Sequence, residues 1–274
     1  ALELLLGGMY GGFQVLLANP LSGRDILAYV IEHSETKILF VAHQYQDLAE
    51  QALSQLSNKP EILLNHPDNL PVWNDTVPVK KLLNHVPNPK EKALLIYTSG
   101  TTGRPKGVIH THESLLYGGW NTEVAHELTP DDNSLCVLPL CHINAQVVSV
   151  MGTLVNGSGL VMPQRFQASK FWSWMVDQKC TWFSVVPTIL SYLMNIEEGE
   201  KIKLKLGRVR FGRSASAALP PALHKAFEER FGIKIVETMG ITETASPLLS
   251  NPIDPKLHKL GSPGIAYGNE VRIA

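Results

Sequence analysis

Two patterns in the 274-residue chain predict an α/β fold, doubly wound, with helices on both faces of parallel sheets. The first is alternation: short apolar, often β-branched runs bounded by Gly, Pro or Asn take turns with longer stretches whose apolar residues recur every three to four positions, as in βαβ units. The second is placement: Ser-, Thr- and Gly-rich segments follow the ends of several of these runs, where open α/β sheets gather ligands. A formal charge of −1 gives no footprint for nucleic acid or an anionic membrane.

Taken in order, the opening ALELLLGGMY reads as a buried helix leading into a strand at Val15–Ala18, and it lacks the basic lead of a secretory signal. Asp25–His33 has the period of an amphipathic helix, Lys37–Ala42 that of a buried strand, Gln44–Leu56 of a helix and Glu61–Leu64 of a strand. The stretch 65–89 is rich in Pro, Asn and Asp without sustained period, so a boundary is expected near residue 90, between a first α/β subdomain (1–90) and a second (91–274). In the second, strands are expected at Ala93–Tyr97, Ser134–Leu140, Leu160–Met162, Thr181–Val186, Val209–Phe211 and Lys234–Glu237. Helices are expected at Glu113–Glu127, Val147–Leu154, Ser169–Gln178, Thr188–Asn195 and Pro221–Phe231. The apolar run Val147–Met162 is broken by Gly152, Asn156, Gly157 and Gly159, which argues against a membrane span. Cys136, Cys141 and Cys180 are odd in number and lack ligand spacing, so free thiols and a reducing, cytoplasmic setting are expected. The chain starts inside a periodic apolar element and stops in the strand-like Glu270–Ile273, so both ends are expected to lie within a longer protein.

The chemistry centres on Tyr97–Gly107, YTSGTTGRPKG, which follows the apolar run from Ala93. Gly100 and Gly103 permit positive φ and close approach of the backbone, so that successive N–H groups can converge on phosphate oxygens. Ser99, Thr101 and Thr102 add hydroxyl donors, and Lys106 adds a mobile positive charge. The spacing is not Gly-x4-Gly-Lys-Ser/Thr, since Arg104-Pro105 precede the lysine and Gly107 follows it.

This stretch resembles the phosphate-loop signature of the adenylate-forming superfamily, which includes acyl-CoA synthetases, luciferases and the adenylation domains of peptide synthetases. A second stretch, Val236–Thr244, resembles that superfamily's aromatic-Gly-x-Thr-Glu motif, with Met239 standing where the aromatic residue usually lies. A third, Gly212–Pro220, resembles the small-residue segment lining its adenine and acyl sites. A fourth, Pro139–Asn144, places His142 after Cys141 where acyl-CoA synthetases have an aromatic residue followed by His.

The resemblance implies the large amino-terminal domain of an acyl-CoA synthetase, truncated at its start and lacking the small carboxyl-terminal domain. It implies nucleotide contacts from Thr98, Ser99, Gly100, Thr101, Thr102, Gly103 and Lys106, from Ser214, Ala215 and Ser216, and from Glu237, Thr238, Met239, Gly240 and Thr242. Lys106, Thr242, Glu243 and His142 would be catalytic, Glu243 holding Mg²⁺ and His142 orienting the acid. The implied reaction joins a small carboxylic acid to CoA through an acyl-adenylate, with ATP, Mg²⁺ and CoA as cofactors and co-substrate and a place in fatty acid metabolism; a homodimer is compatible with it. Transfer to a carrier protein, or a non-catalytic nucleotide-binding role, are the alternatives. His110 and His112 form a His-x-His pair, but no Cys or acidic set nearby completes a zinc site. Ser250-Asn251-Pro252 and Lys259–Gly264 resemble the segment before the last strand pair, the former as in oxalate-CoA ligases.

Overall fold

The computed structural model describes residues 1–66, 86–98, 103–196, 205–245 and 247–273 and divides into two compact units, Ala1–His112 and Glu113–Ala274. In the first, α1 (Leu2–Tyr10) leads to β1 (Val15–Leu16), α2 (Arg24–His33), β2 (Ile38–Ala42), α3 (Gln46–Leu53) and β3 (Glu61–Asn65). Strands β4 (Lys92–Thr98) and β5 (Lys106–Thr111) complete it. Leu27, Ala28 and Ile31 of α2 pack on Ala52 and Leu53 of α3, and β2 pairs in parallel with β3. β1 pairs in parallel with β4, which in turn pairs antiparallel with β5. β4 shares its hydrogen bonds with β1, so the β4–β5 hairpin belongs to the amino-terminal unit.

The second unit is built on a seven-stranded sheet. After α4 (His112–His126) come β6 (Asn133–Cys136), a π-helical segment Asn144–Met151 that runs into α5 (Gly152–Asn156), and β7 (Gly159–Val161). Then follow α6 (Ala168–Asp177), β8 (Trp182–Val185), α7 (Pro187–Met194), β9 (Phe211–Ser214), α8 (Pro221–Phe231) and β10 (Lys234–Met239). Two short strands, β11 (Leu249–Ser250) and β12 (Ile265–Ala266), end it. Their spatial order is β7-β6-β8-β9-β10-β11-β12; the first five are parallel and the last two antiparallel.

Strand alternation sends side chains to two cores. Leu135, Phe183, Val185 and Ile235 face Phe171, Trp172 and Met175 of α6, Leu190 of α7, and Phe227 and Phe231 of α8. Trp182, Phe211 and Val236 face Val148 of the π-helical segment and Leu128 on the other side. His126, at the end of α4, stacks on Trp182 and Phe211 at 6.2 and 5.4 Å, and burial pushes its imidazole down to about 3, so it stays neutral. Trp172 and Trp182 are therefore core residues.

The doubly wound expectation is met, with local differences. The helix expected at Val147–Leu154 begins earlier, as the π-helical segment, in which all eight residues are buried. The fourth parallel strand of the sheet is Phe211–Ser214, not Val209–Phe211, because Gly212 to Ser214 continue the ladder with β8 and β10. Glu270–Ile273 forms no strand, and the last pairing is made by Ile265–Ala266 instead. All three cysteines are free thiols. Gly232 closes α8 at φ 68°, ψ 18°, the left-handed cap that favours glycine. Gly232→Ala is expected to lower stability by about 1 kcal/mol in urea unfolding, and an unchanged midpoint would show that the cap carries no strain.

Candidate functional site

In the first unit, β4 buries Ala93, Leu94, Leu95 and Ile96 and emerges at the half-buried Tyr97 and Thr98. Thr98 lies opposite Lys106 in the ladder, so the loop between them is closed at its base by paired strands. Gly103 has φ +88°, the left-handed conformation its place in the motif calls for. Ser99, Gly100, Thr101 and Thr102 lie outside the described residues. The return of the loop is tied to α2. The Tyr29 hydroxyl donates to the Pro105 carbonyl at 3.2 Å, the Arg104 guanidinium lies 5.7 Å from the Tyr29 ring, and the Tyr97 hydroxyl sits 2.6 Å from His33 Nδ1. Burial, with the neighbouring Tyr29, pushes the Tyr97 phenol up to about 12, which keeps it a neutral hydrogen-bonding anchor. Lys106 is exposed and has no ion pair among the described residues.

In the second unit, β6, β8, β9 and β10 run parallel and so share one carboxyl edge. β7 lies on one side of β6 and β8 on the other, so the winding reverses there, and such a switch point opens a crevice at that edge. Three of the segments singled out by sequence leave from this edge. The loop after β6 carries His142, exposed, its backbone amide donating to the Pro139 carbonyl at 3.1 Å. β9 ends in Ser214, buried with an unpartnered hydroxyl, followed by buried Ala215 and exposed Ser216. β10 ends in the half-exposed Met239, Gly240 follows, and Thr242–Thr244 form a 3₁₀ turn that presents Glu243 to solvent. A groove of about 380 Å³ runs beside that turn, between Thr244, Tyr117, Asn121 and Asn269. Glu237 and Thr238 point inward instead: Glu237 Oε1 accepts the Leu219 amide at 2.9 Å, while its Oε2 and the Thr238 hydroxyl are buried without a partner.

Beneath this edge lies a network that the residue types alone did not reveal. Arg213, fully buried, donates from Nη1 to Asn144 Oδ1 at 2.7 Å and to Ser184 Oγ at 3.0 Å, and the Ser184 hydroxyl donates to the same Oδ1 at 3.2 Å. Asn144 Nδ2 reaches Ser216 Oγ at 3.4 Å, where Ser216 adopts φ +70°. One asparagine thus joins the start of the π-helical segment to two parallel strands, β8 and β9, and it holds a serine in a conformation that disfavours side chains. No carboxylate pairs with Arg213 among the described residues, and burial pulls its guanidinium down to about 9, still protonated at neutral pH. The available signal was an arginine enclosed in the small and apolar run Phe211–Ala218.

Asn251 is also fully buried. Its side-chain amide donates to the carbonyls of Lys259 and Ser262, its Oδ1 accepts the Lys259 amide, and its own amide donates to the Glu237 carbonyl. The Ser-Asn-Pro element therefore closes the 251–262 loop against β10. Neither His110 nor His112 belongs to a metal-ligating cluster among the described residues.

Glu243 fits Mg²⁺ in its chemistry: an exposed carboxylate on a short turn, without an ion pair among the described residues, would supply one hard oxygen ligand and leave the other positions open.

Residues 1–274 match the family model described as AMP-binding enzyme. The chain belongs to the AMP-binding enzyme family. Within it, the chain is 44% identical over 273 residues to the sulfoacetate–CoA ligase of Cupriavidus necator, covering 99% of this chain and 53% of that protein. It is 32% identical over 255 residues to the oxalate–CoA ligase of Arabidopsis thaliana, covering 89% of this chain and 49% of the relative. Its fold is similar to that of ATP-bound MatB from Rhodopseudomonas palustris, with TM-score 0.81 and 25% identity over 97% of this chain and 52% of that one. The chain spans about half the length of the curated relatives it matches. Among the described residues, no helix is long and apolar enough to cross a membrane.

Proposed function

We propose that the chain carries the adenylate-forming part of an AMP-forming carboxylic acid:CoA ligase whose acid is short and bears a second acidic group. The observation that supports this most is the shared carboxyl edge at the switch point, from which the His142 loop, the Ser214–Ser216 segment and the Thr242–Glu243 turn all depart. Membership of the AMP-binding enzyme family supports adenylation, and two relatives named for sulfoacetate and oxalate support a small doubly acidic substrate.

A carboxylate is a poor acyl donor until its oxygen is joined to a better leaving group, and AMP is one. The attack brings one anion toward another: two unit charges 4 Å apart repel by about 4 kcal/mol at an effective dielectric near 20. Charge compensation must therefore precede bond formation. In the proposed reaction the exposed Lys106 ammonium and the hydroxyls and amides of Thr98 to Gly103 compensate and hold the β- and γ-phosphates. Glu243 would hold Mg²⁺, which supplies further neutralisation of phosphate charge when bound. Thr242 positions the α-phosphate, His142 orients the attacking carboxylate, and Ser214, Ala215, Ser216 and Met239 offer a flat, small-residue bed for the base. No enzyme nucleophile is needed. The acid's oxygen displaces pyrophosphate, and the CoA thiol then displaces AMP from the acyl-adenylate. This reading places the enzyme in the cytoplasm; its oligomeric state, a homodimer included, is open to light scattering.

The test is carboxylate-dependent exchange between ATP and pyrophosphate, with the full-length parent and a panel of sulfoacetate, oxalate, acetate, long fatty acids and amino acids. Exchange confined to short acids with a second acidic group is expected. Exchange with amino acids would move the chain to the carrier-loading alternative, and no exchange despite ATP binding would overturn the catalytic reading.

A further inference from the structure

Helix α8 carries His224 and Glu228 one turn apart, hence on one face, and the 251–262 loop brings His258 against it. One candidate ligand atom from each residue lies within 4.8 Å of the other two, and no other such His/Cys/Asp/Glu cluster occurs among the described residues. The two imidazoles meet edge to face, with centroids 5.7 Å apart.

Their hydrogen bonding is incomplete in a telling way. His258 Nδ1 lies 3.0 Å from the Pro252 carbonyl, an atom that can only accept, so Nδ1 carries the proton and Nε2 presents a lone pair. That Nε2 is buried and has no partner among the described residues, and neither has Nδ1 of the fully buried His224. A backbone carbonyl that fixes one ring nitrogen while the other is left facing inward is the usual outer support of a metal-bound imidazole. Glu228 supplies the carboxylate. Its Oε1 accepts from the Ile235 amide at 2.9 Å and lies 3.3 Å from His224 Nε2, and its Oε2 accepts from Lys234 Nζ at 2.9 Å.

We propose that His224, Glu228 and His258 form a binding site for a divalent first-row transition-metal ion, Zn²⁺ in the first instance, which pins the 251–262 loop to α8. Two imidazole nitrogens and one carboxylate oxygen suit Zn²⁺, whereas Mg²⁺ and Ca²⁺ favour all-oxygen sets. Bonds of about 2.1 Å in tetrahedral array put ligand atoms about 3.4 Å apart, so closing round the ion takes at most about 1.4 Å per pair, within reach of modest side-chain rotation. His258 and Glu228 are only partly buried, which leaves a path for the ion and a fourth position for water. The site is separate from the acid-activating residues, and its ion stays on the protein throughout.

The test uses the full 274-residue chain and zinc alone. After incubation with excess Zn²⁺ and desalting, one equivalent is expected to remain, and Co²⁺ in its place is expected to give the visible absorption of a tetrahedral ion. His258→Ala, on a partly exposed loop, and Glu228→Gln, which keeps the shape of the side chain, are each expected to weaken zinc binding by ~100-fold or more, beyond the ~10–100-fold cost of losing an outer partner. The variants' circular dichroism should match the parent chain, so that lost binding is not lost folding. His112→Ala serves as a control with unchanged zinc content. Zinc retained equally by the parent chain and both ligand variants, or none retained by the parent chain, would overturn the site.

Discussion

Asp132→Ala is expected to destabilise the second unit by about 3 kcal/mol, the largest loss from any single truncation proposed here. The carboxylate is buried at the entrance to β6, where Oδ2 accepts from Arg210 Nη1 at 2.5 Å and from the Thr129 amide at 2.9 Å, and Oδ1 accepts from the Thr181 hydroxyl at 2.6 Å. Truncation strands the buried Thr181 hydroxyl, whereas the partly exposed Arg210 and the exposed Thr129 have water as a ready substitute. Thr181 in turn accepts from the Asn133 amide, so the same carboxylate registers β6 beside β8. Urea unfolding followed by tryptophan fluorescence would measure the loss, and an effect below about 1 kcal/mol would show that the network is dispensable.

The sign of its pH dependence follows from the same contacts. Burial alone would raise the Asp132 carboxyl above its ordinary 3.8, but hydrogen bonds from Thr181 and Arg210 outweigh burial and lower it. A carboxyl lowered on folding contributes stability that is fully present above its unfolded value and is lost as pH falls through that value toward the folded one. Stability of the parent chain should therefore fall below about pH 4, with that limb flattened in Asp132→Asn; an acid limb identical in both would assign the loss to other carboxyls.

The second large effect concerns catalysis. Lys106→Ala in the full-length parent is expected to slow ATP–pyrophosphate exchange by ~10²–10³-fold, the scale of removing one preorganised charge stabiliser. Lys106 stands at the first position of β5 opposite Thr98, so paired strands fix its backbone while its ammonium stays in solvent. Substitution should leave the hairpin intact, and unchanged thermal unfolding beside lost exchange would separate chemistry from folding. Lys106→Arg should recover only part of the rate, because a planar guanidinium cannot place its charge as a compact ammonium does. An unchanged rate in Lys106→Ala would sink the role given to this residue.

The sequence made the second unit legible because its strands are short, buried runs punctuated by Pro and Gly, and because amphipathic helices separate them. Trp182-Phe183 and Ile235-Val236 announce strands buried on both faces, and the structure sends their members to opposite cores. The first unit was less legible. The antiparallel return of β5 onto β4 depends on the loop between them, and an apolar run after a glycine loop reads alike whether it crosses over or folds back. The π-helical segment escaped because one extra residue per turn leaves no mark in a stretch that is buried all round. For the candidate site, the motifs located the loops, but Asn144, Ser184 and Arg213 meet across separations of 29 to 69 residues, and no local pattern encodes that meeting. His258 is likewise brought to His224 by the tertiary path of the loop that Asn251 closes.

The Arg213 guanidinium has a consequence at long range. A cation held below the sheet edge with neutral partners is poorly screened by counterions, so its field extends into the crevice above. Although the chain as a whole is nearly neutral, with a formal charge of −1, one positive charge is thus fixed beneath that edge, beside the Glu237 carboxylate that the neighbouring β10 buries. The attraction between that guanidinium and an anion above it scales with the anion's charge and needs no contact between them. Attraction of this kind acts through potential and does not depend on the anion's shape.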